Sequence, residues 1–358
     1  MILSFKKNFF RNFLPTICAS ISKNIAHVVQ TAKSGCPKRG GFHGTLASVS
    51  DIRNGALDDQ SLGQLPTEQA DPRFANIDRL STAQLAHVMN EADATVPAAV
   101  AAIVPQLAEA IDRIVERMSK GGRLHYVGAG TAGRMAVIDA AECPPTFSTS
   151  PSLVNAIMAG GDGALVGAVE GAEDDFAAGE AAIEAESVGP NDTVIGIAAS
   201  GRTPFVIAAV GEARRRGALT IGISCNQDTK LSAAAEHPLE VSVGPEVVAG
   251  STRLKSATAQ KLILNMISTI TMVKLGRTHG NYMVDMQVLN SKLETRAVRM
   301  ITEITSATAQ SAHLALQGAE NRIKTAIVMV EHGVDAVTAD KRLDAAGGRL
   351  SKALAANN

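Results

Sequence analysis

Residues 123–147, RLHYVGAGTAGRMAVIDAAECPPTF, read as a short buried strand, a glycine turn, and a helix that carries Glu142 towards two consecutive prolines. Residues 124–127 make the strand, and Gly128, Gly130 and Gly133 make the turn. A strand, glycine turn and helix in that order present free backbone N–H groups and the positive end of the helix dipole to an anion. A phosphate is the expected anion. Pro144 and Pro145 should stop the helix before residue 144, because proline lacks an N–H and pushes its predecessor out of the α region. Glu142 would then lie in the last turn, beside the negative end of the dipole, which disfavours its ionised form. A carboxyl kept neutral there would suit a general acid. The plainer alternative is a solvated glutamate at a helix end.

Outward from this stretch, apolar runs at 153–158, 193–198, 219–224 and 239–243 alternate with helical patterns. Continuous apolar strands separated by helices imply an α/β fold of three layers, with a mostly parallel sheet covered on both faces. Ligands on such sheets sit at the carboxyl ends of the strands, where the loops GAGTAG (128–133), AGGDGA (159–164) and AASGRTP (198–204) all fall. Before the first strand, Asp78 and Ser81 offer helix caps ahead of Leu85, Val88 and Met89, and residues 96–118 read as one long helix ending at Gly121-Gly122. Beyond Gly250 the pattern is helical: 253–275, then 283–297, then several short helices punctuated by Gly333 and Gly347-Gly348. The division expected is an N-terminal extension (1–60), an α/β domain with leading helices (61–298) and a C-terminal helical domain (299–358). The extension is read as disordered or mis-started, since no Met separates Met1 from Met89. Its apolar run between Arg11 and Lys23 is too short to span a bilayer.

Composition narrows the function classes. The chain has 358 residues, 46% hydrophobic but only 3% aromatic, with no Trp, so no stacking platform for nucleic acid is available. Seven basic residues and no acid precede Asp51, leaving 27 basic against 35 acidic residues in the body. A mildly acidic body argues against a nucleic-acid surface. Four cysteines without a CxxC pair and eight histidines without HxxxH or HExxH spacing suggest neither a metal site nor a disulfide framework. A reducing compartment fits.

GAGTAG matches GxGxxG formally, so a dinucleotide site must be weighed. The acid that would read the ribose, Asp162, comes about thirty residues after Gly133, later than that fingerprint expects. The hydroxyls of Thr131, Ser200 and Thr203, with Arg202, suit a single phosphomonoester better. Each loop also has a bland reading: GAGTAG as a tight connection, and Ser200 or Thr203 as a helix cap before Pro204. Glu170, Glu173, Asp174 and Asp175 form an acidic run that is ordinarily a solvated face. At 250–261, Ser251, Arg253, Lys255 and Thr258 lie at a helix start where an anion could bind, although Ser251 or Thr252 could simply cap it.

Six stretches together resemble one family, the N-acetylmuramic acid 6-phosphate etherases, single-SIS-domain relatives of sugar-phosphate isomerases. They are IDRLST (77–82), GAGTAGRMAVIDAAECPPTF (128–147), AVEGAEDD (168–175), IGIAASGRTPFVI (195–207), GPEVVAGSTRLKSATAQKLILNM (244–266) and GNYMVDMQVLNSKL (280–293). The resemblance implies a SIS-type fold and cleavage of the D-lactyl ether of N-acetylmuramic acid 6-phosphate in amino-sugar catabolism, without metal or cofactor, in the cytoplasm. It implies Glu142 and Glu173 as the catalytic acid and base, a phosphate held by Gly130, Thr131, Ser200, Arg202 and Thr203, and further substrate contacts from Ser251, Arg253 and Lys255. It is the resemblance, not the charge pattern, that selects Glu173. Eleven residues separate Thr131 from Glu142, about 16 Å of helix, longer than a hexose phosphate. A homodimer with shared sites is therefore expected, Glu142 serving the phosphate loops of a partner subunit. The chain departs from the family pattern at Ala132 and Ala141, where serine is usual, and at Ser256-Ala257, where Ala-Gly is usual. Two other readings stand beside this one: a SIS aldose-ketose isomerase, and a non-catalytic sugar-phosphate sensor.

Overall fold

A computed structural model of the protein describes residues 63–355; the expected extension 1–60 lies outside the described residues. The apolar runs form five strands, β1 (Leu124–Gly128), β2 (Val154–Met158), β3 (Thr193–Ile197), β4 (Leu219–Ser224) and β5 (His237–Glu240). All pair in parallel, in the order β2-β1-β3-β4-β5. Strands β1, β3 and β4 are buried along their whole length, which is why they read as unbroken apolar runs. Strand β5 starts two residues earlier than its apolar run suggested and ends at Glu240. Pro238 disguises its start; on an edge strand the missing N–H breaks no ladder bond.

The helices, in chain order, are α1 (Thr82–Asp93), α2 (Val96–Ala102), α3 (Val104–Ser119), α4 (Gly130–Phe147), α5 (Gly163–Val166), α6 (Phe176–Ala185), α7 (Pro204–Arg215), α8 (Lys230–Ala234) and α9 (Lys255–Lys274). The C-terminal part adds α10 (Ser291–Thr305), α11 (Ala309–Gly318), α12 (Ile323–His332), α13 (Ala336–Ala345) and α14 (Leu350–Ala355). Ser81 and Gln84 close a capping box on α1. The single helix expected over 96–118 is instead two, bent at Ile103, because Pro105 cannot donate to the preceding turn. Among the described residues no single helix is long and apolar enough to cross a membrane.

Helix α4 overturns the expected stop. It runs through Pro144 and Pro145 to Phe147, so Glu142 lies five residues inside the end and not in the last turn. The prolines forfeit two donors to the preceding turn, and the end is secured by other means. Phe147 and Cys143 are buried, Ser148 takes a left-handed conformation (φ 48°) with its N–H on the Pro144 carbonyl, and Gln287 N–H donates to the Pro145 carbonyl at 3.1 Å. The helix expected over 283–297 also shifts: Asn290 caps α10 at Ser291, and residues 282–289 are irregular, with Val284 and Met286 buried. Helix α10 spans the division expected at 298–299. Its Ala297, Met300 and Ile301 belong to a second apolar cluster that reaches from Val284 to Ala353.

The main core joins the sheet to α2, α3, α4 and α9 through Leu107, Ile111, Tyr126, Ile195, Ile221 and Ile263. One polar clamp crosses it. Asp139 of α4, 5% exposed, accepts from Tyr126 Oη of β1 at 2.9 Å, from Asn265 Nδ2 at 2.7 Å and from Ser268 Oγ at 3.1 Å, both of the last on α9. Burial raises the Asp139 carboxyl above its ordinary value, and the three hydrogen bonds only partly oppose this. A raised native pKa means the folded state holds the proton more firmly than the unfolded chain. That contribution to stability is complete at low pH and is lost as pH rises through the native pKa. Asp139→Asn keeps the polar contacts and removes the titration. The thermal midpoint of this variant relative to the parent should therefore climb as pH rises above about 4, the ordinary carboxylate value; a difference independent of pH would refute the assignment.

Candidate functional site

The strand register brings the glycine loops together. Gly128 stands opposite Met158 on one side and Ile197 on the other, so the loops after β1, β2 and β3 leave the same edge of the sheet. The chain reverses its direction of strand addition between β1 and β3, and a crevice opens outside the carboxyl ends of strands at such a switch point. Gly130 and Thr131 open α4 directly after β1, and Ser200, Arg202 and Thr203 lie between β3 and α7, so the two groups stand on either side of that switch point.

Glycine is required on both sides of it. A Cβ on Gly128 would lie 2.7 Å from Gly133 N, so the turn into α4 packs backbone against backbone. Gly130 opens the helix at φ 53°, and the methyl side chain of the cap residue Ala129 offers no acceptor to the first-turn N–H groups. Across the crevice, Ser200 Oγ accepts from Arg202 N at 3.2 Å, and a Cβ on Gly201 (φ 68°) would come 2.3 Å from Thr229 Cβ. Thr203 precedes Pro204 at the start of α7, but its side chain makes no capping bond. The loop is braced from behind by Asn226, which is 1% exposed. Its Nδ2 donates to the Ala199 carbonyl at 3.1 Å and to Thr67 Oγ1 at 2.9 Å.

Glu173 is exposed on a 3-10 turn, Ala172–Asp174, that packs against α7. Gly160, two residues beyond β2, approaches Val169 and Ala172 so closely that a Cβ there would meet Val169 Cβ at 2.9 Å. That contact holds the acidic turn beside the carboxyl edge. Arg134 of α4 holds the α5 segment that leads into this turn, with Nε on the Leu165 carbonyl and Nη2 on those of Ala164 and Gly167, all at 2.8–2.9 Å. Within the acidic run Asp175 has a separate task, capping α6 through Ala178 N. Glu142 is exposed and stands apart, eleven residues down α4 from Thr131.

The 250–261 segment differs from expectation. Neither Ser251 nor Thr252 caps α9; Glu246, fully buried, does so from nine residues upstream. Its Oε2 accepts from Lys255 N and its Oε1 from Ser256 N, each at 2.9 Å, and Oε1 also accepts from Ser256 Oγ at 2.8 Å. A carboxylate of the chain itself thus occupies the first-turn N–H groups of α9. Lys255 is 4% exposed, its Nζ donates to the Val243 carbonyl at 2.6 Å, and burial lowers its pKa. It borders a cavity of about 450 Å³ with Arg73 and Glu91, beside the β5 end of the edge. Ser251 is half-buried and Arg253 exposed.

Other reactive groups are held inert. Burial pushes the free thiols of Cys143 and Cys225 up to about 12. Among the described residues no group of three or more His, Cys, Asp or Glu side chains is arranged to hold a metal ion.

Sequence comparison adds the family. Residues 106–214 match the glucokinase regulatory protein N-terminal SIS domain, and residues 176–270 match the SIS domain. An N-acetylmuramic acid 6-phosphate etherase of Streptomyces avermitilis is 52% identical over 297 residues, covering 82% of this chain and 95% of that one. Etherases of Bacillus licheniformis and Pectobacterium atrosepticum are 49% and 48% identical, covering 83% and 82% of this chain and 98% and 97% of theirs. With such identity across nearly the full length of its relatives, and with a parallel sheet carrying glycine loops at its switch point, the chain belongs to the N-acetylmuramic acid 6-phosphate etherase family.

Proposed function

We propose that the protein is a cytoplasmic carbon–oxygen lyase that converts N-acetylmuramic acid 6-phosphate and water into N-acetylglucosamine 6-phosphate and D-lactate. The observation that carries this reading is the near-full-length similarity to etherases at about half identity. The crevice fits the substrate class: two glycine loops supply amides and hydroxyls for one phosphate, and an exposed carboxyl, Glu173, stands on a turn beside them. In the ring-opened sugar the C1 aldehyde acidifies the C2 proton. Glu173 takes that proton, the C3–O bond breaks with its electron pair leaving on the lactyl oxygen, and Glu142 protonates that oxygen. Water then adds at C3 of the unsaturated aldehyde, and a proton returns to C2. Phosphate binding, remote from C2, supplies orientation.

Glu142 acts in this scheme on substrate held by a second subunit. The helix length separates it from its own phosphate loop by about 16 Å. Ile138, four residues earlier on the same face of α4, is 56% exposed, and neighbouring α9 exposes Ile270 and Val273. Apolar side chains around a carboxyl that has no local substrate support a dimer face there.

Turnover in deuterated, oxygen-18 water tests the chemistry. Deuterium at C2 and oxygen-18 on C3 of the amino sugar, with unlabelled lactate, are expected. Label in lactate would mean that the other ether bond breaks, and formation of a ketose would favour isomerisation.

A further inference from the structure

The helix that carries Glu142 is held on either side of that residue. Three residues before it, Asp139 is clamped to β1 and α9. Three residues after it, one turn along the same face, the Pro145 carbonyl accepts Gln287 N–H at 3.1 Å. Just past the helix, Ser148 Oγ donates to the Asp285 carbonyl at 2.5 Å. The Gln287 bond satisfies one of the terminal carbonyls that a helix leaves without an internal partner.

This second hold originates in the C-terminal helices. The Asp285 carboxylate meets Lys324 Nζ at 2.7 Å, and the same ammonium donates to the carbonyls of Gly276 at 2.9 Å and Gly348 at 2.8 Å. Three acceptors use all three of its protons. Lys324 is the second residue of α12 and is 9% exposed. It therefore joins three places: the segment after α9, the segment that grips α4, and the turn before α14. Arg277 adds a second cation 3.5 Å from Asp285. A buried pair of this kind is weak evidence of net stability, because desolvation offsets the attraction. Its geometry fixes position instead.

We infer that Lys324 and Asp285 are positioning residues for proton transfer by Glu142, passing the hold of the C-terminal helices through Ser148 and Pro145 to the turn next to that carboxyl. The inference rests on the role proposed above for Glu142. Misplacing a reacting group by about 1 Å costs on the order of 10²-fold in rate. The phosphate loops lie at the opposite end of α4, so the loss should fall on kcat and spare KM.

Ser148 supplies the discriminating variant. At φ 48° glycine bears no steric penalty, so Ser148→Gly removes the hydroxyl without straining the fold. It should lower kcat about fivefold, with KM within about twofold and the thermal midpoint unchanged or raised. Lys324→Met and Asp285→Asn should each lower kcat at least about tenfold, and the double variant should lose no more than either alone, since both act through one path. Glu142→Ala is measured alongside. If Glu142→Ala turns over normally, the role of Glu142 fails and this inference with it. If Glu142→Ala is inactive while Ser148→Gly keeps the parental kcat, this inference alone is overturned, whether or not the Lys324 variant folds.

Discussion

Glu142→Ala is expected to lower lactate release by about 10²- to 10⁴-fold, the range lost with a general acid, while KM for the sugar phosphate stays within about threefold. The split follows from the length of α4, with the glycine turn at its first residues and Glu142 near its far end. Ser200→Ala should behave differently, raising KM, because the proposed scheme gives the Ser200 hydroxyl to phosphate binding. Mixing the two impaired chains, assayed at substrate far below the raised KM so that neither alone turns over appreciably, then tests where the site is assembled. In a random mixture half of the dimers are hybrids. Each hybrid holds one site with an intact Ser200 loop from one chain and an intact Glu142 from the other, so about one quarter of the parental activity should return. If each chain completed its own site, every site in the mixture would carry a defect and no activity would return. Charging the exposed apolar face should have the same cause and a related effect. Ile138→Glu, at a position 56% exposed in the single chain, should cost the subunit little stability yet abolish activity along with dimer formation.

The strand framework was legible because the three central strands are buried on both faces, so burial left its mark on every residue in turn. Where only one neighbour or one face is protected the mark fades, as at β5, whose Pro238 looks like a boundary. Prolines misled in both directions. Pro105 breaks a helix that its apolar face seemed to continue, whereas Pro144 and Pro145 fail to break one whose end is fixed by Gln287 and a buried Phe147. That difference depends on a partner 142 positions away in the chain, which no local pattern records. The glycine loops were legible for the opposite reason: the requirement for positive φ at Gly130 and Gly201, and for close approach at Gly128, is met within a few residues. Asp139 and Glu246 escaped notice as sites. Each is a lone acid in an apolar stretch, AVIDAA and VGPEVV, and that isolation is the signal that could have found them, since an acid is rarely fully buried unless paired.

Glu246→Ala is the substitution expected to cost the fold most. It strips two buried backbone N–H groups and the Ser256 hydroxyl of their acceptor, and it removes the negative charge that opposes the effect of burial on the Lys255 ammonium. Groups left unsatisfied in this way cost about 3 kcal/mol together, more than the ~1 kcal/mol of an ordinary exposed helix cap. Glu246→Gln retains one acceptor oxygen and should lose about half as much. The Ser256 hydroxyl makes only one of the three bonds to Glu246, so Ser256→Ala alone should cost only about 1 kcal/mol. A helix start with free N–H groups and a buried cation beside it is an anion site once its own carboxylate is gone. Formate should therefore raise the thermal midpoint of Glu246→Ala and leave that of the parent protein unchanged relative to chloride at equal ionic strength. At about ten times its dissociation constant it should return about 1.4 kcal/mol. Equal responses of the two proteins would mean that the N-terminus of α9 does not need an anion, and that Glu246 acts there by packing alone.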